Sequence, residues 1–251
     1  MHRFFINRSA LRNGEAFIEG DLFRHLVKVL RLKAGAQVVL ADGEGSEHTG
    51  VITSLERERA VVRIEQSVLL PSPPATPGIT LYQAIPKNDR MELVLQKGTE
   101  LGVAEFVPVI SSRTIPRLSG EKAVQRIRRW ERIVMEAARQ SCRQDIPRVT
   151  AIVSLAEALA TAYQEVRLFL WEEELELGLK HVIDRTRKPS SVAVLVGPEG
   201  GLSREDADAA VSAGFIPVSL GPRILRTETA GLAAVSILQY VWGDMAGFTE
   251  I

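Results

Sequence analysis

Five short apolar runs recur through the last two thirds of the chain, and a helical pattern follows each of them. The runs cover residues 79–85, 104–110, 166–171, 192–197 and 215–220. The helical patterns cover 91–101, 121–140, 155–163, 204–213 and 229–242. A strand that is apolar on both sides must be covered on both faces. Strands alternating with helices meet that need in a mainly parallel sheet. The fold class expected of this part is therefore α/β.

The segment Pro71-Ser-Pro-Pro-Ala-Thr-Pro-Gly78 sets this part off from what precedes it. Four prolines and a glycine in eight residues cannot continue a helix or a central strand, and they make a stiff spacer. The expected division is residues 1–70, a Pro-rich linker 71–78, and a domain 79–251. The first part reads mostly as strand. Residues 37–41 end in the turn signal Asp42-Gly43, and 47–54 and 60–66 are further strands. One helix is expected near 22–31, where Leu22, Leu26, Val29 and Leu30 fall at helical spacing. Several short strands with one helix suggest a small β-barrel.

Composition narrows the function. Cys142 is the only cysteine, which excludes a disulfide framework and a Cys-based zinc site. The four histidines are not spaced with carboxylates as ligands, so no metal is expected. The N-terminus has no apolar signal region, and no apolar run approaches the roughly 18 residues a bilayer span needs. The expected location is the cytoplasm. Net charge is zero, with 31 basic and 31 acidic residues, but the charges are unevenly spread. Residues 1–33 hold seven Lys/Arg against three Asp/Glu, and residues 112–148 hold ten against four, nine of the ten being Arg. Residues 150–180 are acidic and include Glu172-Glu173-Glu174. The basic stretches are either a track for a phosphate backbone or solvated faces of mixed sign.

Two segments look chemical. In Val194-Leu-Val-Gly-Pro-Glu-Gly-Gly-Leu-Ser-Arg-Glu-Asp206 an apolar run stops at Gly197-Pro198, glycines follow, and Ser203 with Asp206 forms a capping box. This reads as strand, glycine loop and helix N-terminus, the place where α/β sheets bind ligands. It lacks the Lys of a phosphate-binding P-loop and the spacing of GxGxxG. The second segment is Val218-Ser-Leu-Gly-Pro-Arg-Ile-Leu-Arg-Thr-Glu-Thr-Ala230. Here Arg223, Arg226, Glu228 and Thr229 crowd another strand-to-helix connection. The plain alternatives are a tight turn for the first, and for the second a helix capped by Thr227 with Glu228 on its dipole. Two such loops on neighbouring strands would open on the same sheet edge.

Taken together, Gly197-Pro-Glu-Gly-Gly201 and Leu220-Gly-Pro-Arg-Ile-Leu-Arg-Thr-Glu-Thr-Ala230 resemble the 16S ribosomal RNA uracil-N3 methyltransferases of the SPOUT superfamily. The resemblance extends to Met1-His-Arg-Phe-Phe, to His25-Leu-Val-Lys-Val-Leu-Arg-Leu-Lys-Ala-Gly35 and to Lys87. It continues in Gln96-Lys-Gly-Thr-Glu-Leu-Gly-Val103 and in Glu136-Ala-Ala-Arg-Gln-Ser141 with Arg143 and Pro147. It implies an N-terminal PUA-like RNA-binding β-barrel, a C-terminal domain with a trefoil knot, a homodimer, and S-adenosylmethionine as cofactor. By the same resemblance, Gly197, Glu199, Gly200 and Gly201 line one wall of the cofactor pocket. Leu220, Gly221, Ile224, Leu225 and Thr229 line another.

Methylation at uracil N3 requires loss of the N3 proton and in-line approach to the methyl carbon. Arg226 is the candidate cation for the uracil anion and Glu228 the candidate base, with Glu199 the other carboxylate. N3 lies on the pairing edge, so the target uridine must be unpaired or extruded. Candidate RNA contacts are Arg126 and Arg129, with Arg128 and Arg132 on the same helix, then Arg139 and Arg143, and on the barrel Arg3, Arg24, Lys28 and Arg31. His25 belongs to the first domain's helix, and Trp130 reads as core. The expected partner is the small ribosomal subunit. Three rival readings stand beside this one, of which a small-molecule enzyme gripping a phosphate in the glycine loop is opposed by the missing Lys. A ribose 2′-O methyltransferase would give a different methylated nucleoside. A non-catalytic RNA-binding assembly factor would not bind S-adenosylmethionine.

Overall fold

The computed structural model describes residues 1–43, 45–70, 76–115 and 120–247. Of the expected linker, residues 71–75 lie outside these. The chain forms two compact units, Met1–Pro73 with Ala138–Ile146, and Pro74–Ala137 with Pro147–Ile251. The stretch 138–146 thus groups with the first unit, although it lies beyond the prolines.

The first unit is a six-stranded mixed sheet. Its strands are β1 (His2–Phe5), β2 (Leu11–Arg12), β3 (Glu15–Glu19), β4 (Gln37–Ala41), β5 (Ser46–Leu55) and β6 (Arg59–Leu69), in the order β1-β4-β5-β6-β3-β2. β1 lies parallel to β4, and the other pairs are antiparallel. The Asp42-Gly43 signal marks the turn between β4 and β5, where Asp42 Oδ1 accepts the Ser46 N–H at 2.9 Å. Phe4, Ile18, Leu26, Val38, Leu40, Ile52 and Val62 make its buried core. The first three strands escape the sequence pattern because they are short and only β3 alternates cleanly. The expected helix 22–31 is α1 (Gly20–Arg24) continued by one π turn over His25–Val29. The Leu30 N–H reaches the His25 carbonyl at 3.0 Å, and Arg31 at φ 52 ends it.

The second unit holds β7 (Gly78–Ala84), α2 (Arg90–Glu100), β8 (Val103–Ile110), α3 (Gly120–Gln140, whose end belongs to the first unit), β9 (Arg148–Val149) and β10 (Val153–Ser154). After these come α4 (Leu155–Thr161), β11 (Val166–Leu170), α5 (Leu179–Arg185), β12 (Ser191–Val196), α6 (Arg204–Ser212), β13 (Ile216–Val218) and α7 (Thr227–Val241). The strand order is β10-β8-β7-β12-β11-β13, with β9 on β8, and every pair is parallel. Period-two alternation gives the longer strands β7, β8, β11 and β12 two buried faces. On β12, Val192, Val194 and Val196 join the cluster that holds Trp130, Val134, Leu179, Val182, Ala234, Val235 and Leu238. Ala193 and Leu195 join the opposite cluster with Leu155, Ala158, Leu159, Ala207 and Ala210. So α2, α3, α5 and α7 cover one face, and α4 and α6 the other. The expected α/β architecture is present. The short helix α5 was not foreseen, because two apolar anchors in seven residues make little periodicity.

β12 and β13 are not neighbours. β11 lies between them, which corrects the expected adjacency of the two loops. Sheet order is decided by long-range pairing and is not written in local pattern.

The closeness of packing is testable at Phe106, fully buried on β8. Its ring presses on α2 at Gly98, where an added Cβ would lie 2.7 Å from Cε1. Phe106→Ala should destabilise the second unit by about 3–5 kcal/mol, measured by urea denaturation.

Candidate functional site

The first glycine loop is built by exclusion of side chains. A Cβ on Gly197 would sit 2.9 Å from the Gly201 carbonyl carbon and from the Leu202 nitrogen. The Gly201 N–H closes the turn on the Pro198 carbonyl at 2.9 Å. Gly201 stands at φ 68, and the Glu172 carboxylate fills the space a Cβ would need. Ser203 then caps α6 as expected. Its Oγ accepts the Asp206 N–H at 3.1 Å, and Asp206 Oδ2 accepts the Ser203 N–H at 3.2 Å.

The second loop leaves β13 at Val218, turns at Gly221 with φ 108, and enters α7. The N-cap position is Arg226, in extended conformation, and not Thr227. The Arg226 carbonyl accepts from the N–H groups of Thr229 and Ala230, both at 2.8 Å. Thr227 is buried, and its hydroxyl has other work. It donates to the Gly197 carbonyl at 2.5 Å and accepts from Gln83 Nε2 at 2.9 Å. One hydroxyl therefore joins the ends of β7 and β12 to the start of α7.

Because β11 intervenes, its own exit supplies a third wall. The Trp171 N–H donates to the Val218 carbonyl at 3.2 Å, and the Ser219 N–H to the Leu177 carbonyl at 2.9 Å. The three loops enclose a cleft of about 470 Å³ at the carboxyl ends of the strands. Of the sequence candidates, Gly197, Glu199, Gly201, Leu220, Gly221, Ile224, Leu225 and Arg226 line it. Gly200, Glu228 and Thr229 do not reach its wall. Gly200 is occupied from behind, where its carbonyl accepts from Arg113 Nη1 at 2.7 Å. Ile224 is 87% exposed, an apolar side chain without a protein partner to cover it.

The charges form a bridge. Glu199 Oε1 accepts from the Lys87 backbone N–H at 2.9 Å and from Arg90 Nη1 at 3.1 Å. Arg90 Nε also lies 3.7 Å from Glu228 Oε1. Arg90 is partly solvated, so the pairs themselves add at most about 1 kcal/mol; their effect is to fix two carboxylates. Glu228 Oε2 is buried, with no hydrogen-bond partner among the described residues, and so is Gln83 Oε1. Burying an acceptor unsatisfied costs about 1–3 kcal/mol, so both oxygens are open to a donor. Among the described residues, no group of three or more His, Cys, Asp or Glu could hold a metal ion.

The candidate RNA residues fare unevenly. Arg3 is mostly buried, with Nε on Glu47 at 2.7 Å and its guanidinium over the Phe5 ring. Its place in the fold is that of a brace. Arg126 and Arg129 meet acids of the α2 region, Arg126 lying 3.5 Å from Asp89 and Arg129 2.7 Å from Glu92. Arg139 lies over Phe4 and 3.5 Å from His25 Nε2. Arg143 pairs with Asp145 at 2.7 Å, and the exposed Arg24 pairs with Asp21. Lys28 and Arg31 are exposed. Trp130 is core, as read.

Four site residues were missed. Arg90 opens α2 with no glycine to flag it, and Gln83 hides inside an apolar strand. Glu172 looked like one of a run of surface acids, and Trp171 like the end of a strand. Paired polar atoms far apart in sequence leave no local signature.

A parallel sheet with glycine loops over its strand ends is the architecture of an α/β domain that binds a ligand at the carboxyl ends of its strands. Comparison with known proteins agrees. The family model described as the RNA methyltransferase domain matches residues 73–239, and that of the RNA methyltransferase PUA domain matches residues 18–65. Ribosomal RNA small subunit methyltransferase E of Bacillus subtilis is 32% identical over 254 residues, 96% of each chain. That of Mycobacterium bovis is 33% identical over 98% of this chain and 95% of its own. The crystal structure of the Neisseria gonorrhoeae protein of that name, bound to S-adenosyl methionine, is 38% identical. It superposes with a TM-score of 0.84, covering 97% of this chain and 99% of the other. This chain belongs to the ribosomal RNA small subunit methyltransferase E family.

The hydroxyl bridge at the site can be tested directly. Thr227→Val keeps the shape but leaves Gln83 Nε2 and the Gly197 carbonyl without it. It should cost about 1–3 kcal/mol for each group left unpaired, read by urea denaturation, and Thr227→Ser should restore most of the loss.

Proposed function

We propose that this chain transfers the methyl group of S-adenosylmethionine to N3 of an unpaired uridine in 16S ribosomal RNA of the small subunit. The observation that carries the proposal is the convergence of both glycine loops on one cleft, with Arg226 at its mouth and Glu228 beneath. The names of the relatives add the substrate class, and the bound cofactor of the Neisseria gonorrhoeae structure adds the cofactor.

The residues suit that cofactor. A cleft of about 470 Å³ is within the usual range for a small ligand. Gly197, Gly201 and Gly221 let a ligand approach the backbone. Leu220, Ile224 and Leu225 offer an apolar bed for adenine, and Glu172, Glu174 and Glu199 present carboxylates to an ammonium and a sulfonium. When bound, S-adenosylmethionine supplies an electrophilic methyl carbon. In this reading Glu228 takes the N3 proton at Oε2. Arg226 and the N-terminus of α7 hold the negative charge that develops on the uracil oxygens. Arg90 keeps Glu199 and Glu228 apart and in place.

Three further parts belong to the same reading. The trefoil knot is supported by Ser219, whose backbone is held between Leu177 and Leu179 before the chain goes on to meet Gly197. The homodimer is supported by α7, where Ile237, Tyr240 and Val241 are exposed at helical spacing. Action in the cytoplasm agrees with a ribosomal substrate, and no helix among the described residues is long and apolar enough to cross a membrane.

Purified protein, S-adenosylmethionine and small subunits from a strain lacking the gene should yield 3-methyluridine on nucleoside digestion and mass spectrometry. Glu228→Gln should lower kcat by about a hundredfold or more, and Arg226→Ala by a similar factor, with cofactor affinity in calorimetry little changed. Methyl on a ribose oxygen would move the chain to the 2′-O reading. No methylation and no cofactor binding would leave an RNA-binding protein.

A further inference from the structure

The first unit carries a cleft of its own, about 580 Å³ in volume, which the methyl-transfer reading does not use. β3 forms one side of it. Ala16 and Ile18 point into the core, while Phe17, half-buried, points the other way between Glu15 and Glu19. Phe5, also half-buried, lines it from β1. A guanidinium lies over each ring, that of Arg59 5.5 Å from the centroid of Phe17 and that of Arg3 4.9 Å from the centroid of Phe5.

The two acids do not make this cleft repel a polyanion. Strand register sets Glu15 opposite Arg12 and Glu19 opposite Arg59. Arg59 also pairs with Glu56, Nε to Oε2 at 2.7 Å, so acids and arginines at the cleft offset one another. At the rim, Asn7 Oδ1 accepts from both the Ser9 N–H (2.9 Å) and the Ser9 hydroxyl (2.7 Å). That fixes the amide and leaves its NH₂ to donate elsewhere. Asn13 is exposed beside it. Half-buried flat rings, the Arg59 guanidinium over one of them and a fixed amide edge in an open cleft are poorly suited to lipid. They match an unpaired base, which stacks on aromatic or guanidinium planes and presents a polar edge.

We infer that this cleft binds a single unpaired nucleotide of RNA, its base on the step made by Phe17 and Arg59 and its edge toward the asparagines. The inference rests on the reading that the chain acts on RNA, and it adds a second nucleotide site remote in sequence from the methyl-transfer loops.

The test uses the full-length protein and an unstructured oligoribonucleotide of roughly ten nucleotides, within the span such sites cover, carrying one 4-thiouridine. After irradiation, crosslinks should map to the peptides holding Phe5 or Phe17. Phe17→Leu keeps an apolar side chain but removes the flat ring, and should weaken binding by roughly three- to thirtyfold in fluorescence anisotropy. Arg59→Gln, at an exposed position with no part in the core, should act in the same direction even if Phe17→Leu folds poorly. The thermal midpoint of Arg59→Gln and its S-adenosylmethionine affinity should stay at wild-type values. Crosslinks mapping elsewhere, or unchanged affinity in folded variants, would overturn the inference. If the wild type still forms 3-methyluridine in that case, the inference falls alone. A wild type that neither methylates subunits nor binds the oligoribonucleotide removes both.

Discussion

A single buried hydroxyl holds the site together. Thr227 Oγ1 accepts from Gln83 and donates to Gly197, so a residue at the start of α7 ties the ends of β7 and β12. All three groups are buried, where a lost partner is not replaced by water. The geometry of the first loop follows, since Gly197 is held from both sides by Leu202 and by this bond. So does the placement of Arg226 and Glu228, which flank Thr227 and point apart, Arg226 to solvent and Glu228 inward.

That placement explains why Arg90 matters although its own pairs are weak. Glu199 comes from the first loop and Glu228 from the second, and Arg90 lies between them at a cleft bordered by Glu172, Glu174 and Glu199. Without that cation, Glu199 and Glu228 would repel each other across the two loops. Arg90 answers one pair. The remaining acids leave a negative wall, the complement of a ligand bearing a sulfonium and an ammonium. Arg223 and Arg226, both exposed, line the same cleft, where an RNA phosphate or a uracil anion would arrive. The two polarities of the cleft thus match the two substrates of the proposed reaction.

Much of this was legible in the sequence, for identifiable reasons. Four of the five main strands announced themselves because both faces are buried and most of their residues are apolar, whereas β13, at the sheet edge, buries only Val218. The glycine loops did so because only glycine fits at Gly197 and Gly201. The capping box at Ser203 is a purely local device and was read correctly. What could not be read is long-range. The insertion of β11 between β12 and β13 brings Trp171 and Glu172 into the cleft, and no spacing encodes it. Thr227 looked like an N-cap, the commonest use of a threonine before a helix. Its hydroxyl was instead claimed by Gln83, 144 residues earlier.

The arginine-rich helix shows the same limit for charge. Its sequence offers a cation at nearly every turn, and counting cannot say which of them are free. α3 lays Trp130 and Val134 into the core, which fixes its rotation about its axis. That rotation brings Arg126 and Arg129 to Asp89 and Glu92. Arg128 and Arg132, one turn apart, are exposed and make no ion pair among the described residues. A phosphate approaching this helix meets no competing carboxylate at those two, whereas at Arg126 and Arg129 it must displace one. The core residue that fixes the helix's rotation therefore also decides which of its charges are available to RNA.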